Sequence, residues 1–169
     1  MTLYLAFVAS TLFTAACNGS LADQPASTRM AVYVPATAAH RVALPSGETL
    51  EVVHGTAILR GPGSTILAEN ARVIRNPGEL CPADGFRTVE PAGKGFVVRN
   101  QICSGWFFID EVMTFAPSSD GYVLTRFSAT YLDRRTAEPD GSPRVLTEAE
   151  LGYRRFNDLD PDDLYPLLD

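Results

Sequence analysis

The chain has one lysine, two histidines, one tryptophan and three cysteines among 169 residues, and each shortage removes a class of function. Thirteen of the 14 basic residues are arginines, Lys94 being the exception, and they are scattered along the chain. A phosphate backbone is held by a stripe of clustered Lys and Arg, so nucleic acid is not an expected partner. His40 and His54 stand in turn-like surroundings without a His-x-x-x-His or mixed Cys/His spacing, which leaves no zinc signature and reads as two surface residues. No Gly-x-Ser-x-Gly elbow occurs, and "GPGS" at 61–64 is neither a P-loop nor a dinucleotide fingerprint but a turn. No cofactor is expected. The cysteines lack the Cys-x-x-Cys spacing that lowers a thiol pKa, which argues against redox chemistry.

Long apolar runs are missing as well. The longest extends from Leu3 to Ala16, 14 residues, too short for a membrane-spanning helix and the right length for the apolar segment of a signal peptide. It lacks the usual Lys or Arg ahead of it. Small residues follow it, and "SLA" before Asp23 fits signal-peptidase cleavage, giving a signal peptide over 1–22, a short tether over 23–28 and a folded domain over 29–169. "TAAC" at 14–17 offers a second route, resembling a bacterial lipobox with Thr where Leu is usual and making Cys17 a lipidation site. Either route removes Cys17 from the thiol count and leaves Cys81 and Cys103 as an even pair, expected as a disulfide in an oxidising compartment. Contact with a membrane is expected only through a lipid anchor at Cys17.

What is present is the composition of an ordinary globular protein, 46% hydrophobic and 20% charged, enough for one domain whose core requires neither metal nor multiple disulfides. The net charge of −6 is concentrated at the end, where Asp158, Asp160, Asp162, Asp163 and Asp169 occur without a base. Their alternation resembles a calcium loop, but Asp163 occupies the place of the turn glycine, and Pro161 and Pro166 restrict the backbone. Acids at a helix N-terminus are the better reading.

Short runs rich in β-branched and aromatic residues recur at 30–34, 48–53, 56–60, 65–75, 86–90, 95–103, 106–115 and 121–132, separated by "PSG", "HG", "GPG", "NPG", "PAGKG", "SG" and "PSSDG". Strands at this spacing without intervening helices predict a mainly β chain, a single antiparallel sandwich or barrel-like domain. Helical signals begin only at about residue 147. Thr147 and Glu150 fit a capping box, and Asp160 before Pro161 fits an N-cap followed by proline, so short C-terminal helices are expected.

Chemistry concentrates in "RNQICSGWFFIDEV" at 99–112. With Ser104 and Gly105 as a two-residue turn, Arg99 faces Asp110, and a next hairpin closed by "PSSD" with Ala116 opposite Gly121 sets Arg126 opposite Glu111. Opposed charges at such positions stabilise by about 0.2–1 kcal/mol, a structural reason for acids in a strand. Alternation places Glu111 and Arg126 among apolar side chains, either as a buried pair or lining a cavity. It places Arg99, Gln101, Asp110 and Tyr131 beside Cys103 and Trp106 on a half-exposed face. Arg99, Gln101, Trp106, Asp110, Glu111, Arg126 and Tyr131 are therefore the candidate binding residues, and no catalytic residue is assigned. The turn is the weak point, since Ser-Gly does not put glycine first as a type II′ loop prefers.

Together these features describe an exported bacterial envelope protein, periplasmic or lipid-anchored. Its expected role is non-enzymatic binding of an envelope protein or a glycan, with an inhibitor or immunity-type domain as one version. The rival is a small-ligand enzyme or hydrolase using Glu111 as acid or base with Arg126 holding an anion. A structural lipoprotein component is the third reading. Mass spectrometry of the mature chain from the envelope fraction should find Asp23 at the N-terminus; an acylated Cys17 would establish the lipoprotein route in its place.

Overall fold

A computed structural model describes residues 40–78, 81 and 83–168. The expected signal peptide, the tether, Cys17 and the strand expected at 30–34 lie outside the described residues.

Among the described residues the chain forms two antiparallel sheets in strict sequence order. The first contains β1 (His40–Ala43), β2 (Thr49–Val53), β3 (Thr56–Arg60) and β4 (Ile66–Asn70). The second contains β5 (Gly85–Ala92), β6 (Gly95–Ser104), β7 (Phe107–Ser118), β8 (Gly121–Asp133) and β9 (Arg144–Thr147). The expected mainly β, antiparallel fold with short terminal helices is the fold observed. Neighbouring strands can follow each other this closely because the turn residues suit two-residue loops. His54 and Gly55 join β2 to β3 with φ of 49° and 76°, the left-handed pair that a type I′ turn requires.

Period-2 alternation turns one face of each sheet inward. Leu50, Val52, Ala57 and Leu59 of the first sheet share one apolar cluster with Phe96, Val98, Met113, Phe115, Leu124 and Phe127 of the second. Phe96 is central to it, with its ring 4.9 Å from Phe115, 5.1 Å from Tyr122 and 5.6 Å from Phe156. His40, expected at the surface, lies in β1 with its ring meeting Phe86 of β5 edge-on at 5.3 Å.

Phe156 comes from the C-terminal segment, which folds back over the sheets. The capping box closes as expected, the Thr147 amide donating to Glu150 Oε2 at 2.7 Å, but helix α1 spans only Glu148–Leu151. Gly152, at φ 62°, ends it. Two 3-10 turns follow, Phe156–Asp158 and Pro161–Leu167. Asp160 caps the second, accepting from the Asp162 amide at 3.0 Å, with Pro161 first in the turn. Phe156, Leu159 and Leu164 are buried, so Asp158, Asp160, Asp162 and Asp163 sit on a stretch whose apolar residues anchor it to the core, while Asp169 lies outside the described residues.

The strand expected over 65–75 stops at Asn70. There the side chain acts as an adaptor: Asn70 Oδ1 accepts from the amides of Arg72 at 2.6 Å and Val73 at 3.1 Å. Its Nδ2 donates to the carbonyls of Phe156 at 2.5 Å and Leu159 at 2.8 Å. One buried amide thus breaks β4 and fastens the terminal segment beside it.

Cys81 and Cys103 form a disulfide across a sequence separation of 22, their Cα atoms 6.4 Å apart, fixing the β4–β5 connection to the end of β6. Non-reducing peptide mapping should recover the linked pair, and Cys81→Ala with Cys103→Ala should lower stability by about 3 kcal/mol from loop-closure entropy. Two alkylatable thiols in oxidised, folded protein would contradict the bridge.

Candidate functional site

The register of β6 and β7 decides which groups meet. The two-residue loop is Gly105–Trp106, with Ser104 opposite Phe107, one residue later than the sequence reading placed it. Glycine thereby takes the first loop position at φ +55°, where it is preferred, which removes the objection to a Ser-Gly turn. Cross-strand partners consequently move by two residues and keep their faces. Asp110 lies opposite Gln101 instead of Arg99, and Gln101 Nε2 donates to Asp110 Oδ1 at 2.6 Å. Arg99 turns to Glu90 on β5, Nε to Oε1 at 2.6 Å. Gln101 also accepts from Arg87, so the outer face of the second sheet carries a chain of paired polar groups.

The Glu111–Arg126 pair does not form. Glu111 lies opposite Asn100 and Ala129, whereas Arg126 lies opposite Thr114 and is exposed. Two shifts separate them: the β7–β8 loop is Ser119–Asp120, with Ser118 and not Ala116 opposite Gly121, which moves the partners by two residues, and a bulge in β8 follows, where Arg126 pairs with Thr114 and Leu124 with Phe115, leaving Thr125 as the extra residue. A bulge reverses the inward and outward alternation beyond it. Tyr122 and Leu124 point inward before the bulge, and Phe127 and Ala129 after it. Tyr131 follows the same reversal. It leaves the polar face on which the sequence reading placed it and packs edge-on against Phe107 at 5.9 Å, with the Arg144 guanidinium 4.9 Å above its ring.

Glu111 itself is completely buried. Its arginine is Arg75, from the connection after β4, which donates Nη2 to Oε2 at 2.9 Å and Nε to Oε1 at 3.4 Å. Asn100 Nδ2 donates to Oε1 at 2.7 Å, and the Tyr165 hydroxyl donates to Oε2 at 3.1 Å. Arg75 is also paired with Asp162 at 2.8 Å. Burial disfavours the Arg75 cation, but Glu111 and Asp162 outweigh it and raise its pKa. Burial, reinforced by the Glu111 charge, pushes the Tyr165 phenol up, so it remains a hydrogen-bond donor. Asn100 extends the knot to the backbone, donating to the Val73 carbonyl at 3.0 Å and accepting from the Arg75 amide at 3.2 Å. A carboxylate with four donors and no exposure has its acceptor positions committed to the protein.

Trp106 has the opposite environment. At the apex of its loop it is 78% exposed. The backbone beneath it is braced: the Arg134 amide donates to the Trp106 carbonyl at 3.1 Å, and Arg134 Nη1 donates to the Gly105 carbonyl at 2.9 Å. The Arg134 guanidinium lies 5.2 Å above the Phe108 ring. Beside the indole is a depression of about 310 Å³ lined, among the described residues, by Trp106, Asp133 and Arg135.

At the other end of β7 a groove of about 230 Å³ is bordered by Glu48, Leu59, Leu67, Asp120, Tyr122 and Phe156. Its acids are engaged locally. Tyr122 donates to Glu48 at 2.8 Å, and Ser118 and Tyr153 donate to Asp120, holding that carboxyl below its ordinary range. Among the described residues no group of three or more His, Cys, Asp or Glu is placed to hold a metal ion.

Sequence reasoning missed Arg75, Asn100, Asp162 and Tyr165. Asn100 had a signal, a polar residue on the inward alternation between Val98 and Ile102. Arg75 and Tyr165 reach Glu111, and Asp162 reaches Arg75, only through tertiary folding. Compared with known protein families, curated proteins and solved structures, the chain matches none.

Glu111→Ala should cost about 3–5 kcal/mol in denaturant unfolding, because it leaves the Arg75 guanidinium largely buried without its carboxylate. Arg126→Ala should stay within about 0.5 kcal/mol of the parent. Equal losses would restore the pairing that the β7–β8 register and its bulge exclude.

Proposed function

We propose that this is an exported envelope protein that binds a partner without transforming it, and that the Trp106 end of the second sheet is the surface it uses. The exposed indole carries this reading. Fully exposing a large aromatic side chain forgoes about 1.5–3 kcal/mol of burial, and here the ring is presented on a braced loop instead of being folded into the apolar cluster. Aromatic anchors of this kind are characteristic of contact surfaces.

The enzymatic alternative drew its support from Glu111 working with Arg126. Glu111 is saturated and sealed, and Arg126 faces away from it, so that support is gone. Export rests on the signal-like first segment and accords with the Cys81–Cys103 bridge, since disulfides persist in oxidising compartments.

Capture from an envelope extract tests the reading. The parent protein should retain envelope material that Trp106→Ala loses, while the two unfold within about 0.5 kcal/mol of each other. Retention of the same material by both would place the contact elsewhere.

A further inference from the structure

We propose that the depression beside Trp106 is a saccharide site, taking one pyranose unit of a glycan against the indole face with Asp133 and Arg135 holding its hydroxyls. The proposal rests on the reading of the Trp106 end as the contact surface and names what meets it.

The surroundings of the indole favour a sugar over a protein. A specific protein interface buries about 800 Å² on each partner around an apolar core of several side chains. Among the described residues, none of the other exposed large apolar side chains, Ile66, Leu67, Tyr153 or Leu167, lines this depression. Leu67 and Tyr153 belong to the groove and polar cluster at the opposite end of β7. Trp106 is instead a single aromatic plate bordered by Asp133 and Arg135. A pyranose has the matching character. The C–H bonds on one face of its ring complement the negative face of an aromatic π-system, and hydroxyls that both donate and accept surround its edge.

Asp133 and Arg135 supply both hydrogen-bonding senses side by side. Arg135 donates Nη2 to Asp133 Oδ2 at 3.1 Å and Nε to Oδ1 at 3.3 Å, and its backbone amide donates to Oδ1 at 2.7 Å. The guanidinium retains N–H groups, and the carboxylate retains lone pairs, for a ligand. Hydrogen bonds from Arg135 hold the Asp133 carboxyl below its ordinary range, so it stays an acceptor. The side-chain pair is mutually oriented before any ligand arrives.

The backbone that carries the plate is pre-positioned as well. Phe107, next to Trp106, is directly opposite Asp133 at the ends of β7 and β8, so the strand pairing fixes the backbone spacing between Trp106 and Asp133. Arg134 ties the Gly105–Trp106 loop down through both of its carbonyls. Little ordering of the protein is therefore required on binding, which matters for a ligand that gains weakly from each contact. A volume of about 310 Å³ is at the small end of ligand sites, in keeping with one or two sugar units and not with a long apolar ligand.

Trp106 is the only tryptophan in the chain, so intrinsic fluorescence reports on this site alone. The full mature protein should be titrated to millimolar levels with the tetrasaccharides of β-1,4-linked N-acetylglucosamine, cellulose, maltose and β-1,4-linked mannose, and with soluble peptidoglycan glycan strands. At least one should give a saturable blue shift and about a twofold fall in acrylamide quenching, as one of the two indole faces becomes covered. Asp133→Asn and Arg135→Gln should each weaken that response by about fivefold or more at unchanged thermal midpoint. Unchanged emission across the whole set would overturn the saccharide assignment. If Trp106→Ala nevertheless abolishes capture of envelope material, the contact surface stands and its partner is not a sugar; if capture also survives Trp106→Ala, both readings fall.

Discussion

The buried Glu111 carboxylate is the constraint around which the second sheet and its coverings are arranged. Placing a charge where no water reaches it costs several kcal/mol unless every acceptor position is answered. The answers come from three parts of the chain: Asn100 across the strand pair, Arg75 from the connection between the sheets, and Tyr165 from the C-terminal turn. Each donor can reach Glu111 only when its segment is in place. The carboxylate thus ties the 71–75 connection and the terminal segment to the sheet through directional bonds, where apolar packing alone would permit sliding. Asn70 makes the same kind of connection from the first sheet, through the carbonyls of Phe156 and Leu159.

This arrangement separates the groups that hold the fold from the proposed contact surface. The acid that looked most like a chemical group is spent in holding the fold. The acid groups of the groove beside Tyr122 are engaged with neighbouring hydroxyls. Trp106 lies outside these networks, on a loop braced through Arg134, and among the described residues its side chain is the most exposed of the large apolar groups. Substitutions at that end should therefore have little consequence for the core.

Much of the architecture was legible because alternation and turn chemistry are local. Strands β2, β3, β5, β6, β7 and β8, the capping box at Thr147 and the Asp160–Pro161 start follow from short stretches of residues. Strands β1 and β9 were missed because four residues carry too little alternation to register. The break at Asn70 was missed because that side chain bonds to carbonyls 86 and 89 residues away. The site was less legible, for two separate reasons. Misplacing the Gly105–Trp106 and Ser119–Asp120 loops moved the β6–β7 and β7–β8 partners by two residues while preserving the faces. The β8 bulge then reversed the faces of Arg126 and Tyr131. That second error had a visible sign, since the apolar alternation runs through Tyr122 and Leu124 and resumes out of step at Phe127, Ala129 and Tyr131. Arg75 had none, because nothing local distinguishes an arginine that will meet a buried acid from one that stays in solvent.

The most direct measurement is a double-mutant cycle on Glu111→Gln and Arg75→Met, read by denaturant unfolding. If the two groups form one buried unit, each single change strands the other partner, and the double variant should be more stable than additivity allows by about 2 kcal/mol. Additive costs within about 0.5 kcal/mol would mean that Glu111 and Arg75 act independently, and that the carboxylate does not organise the fold.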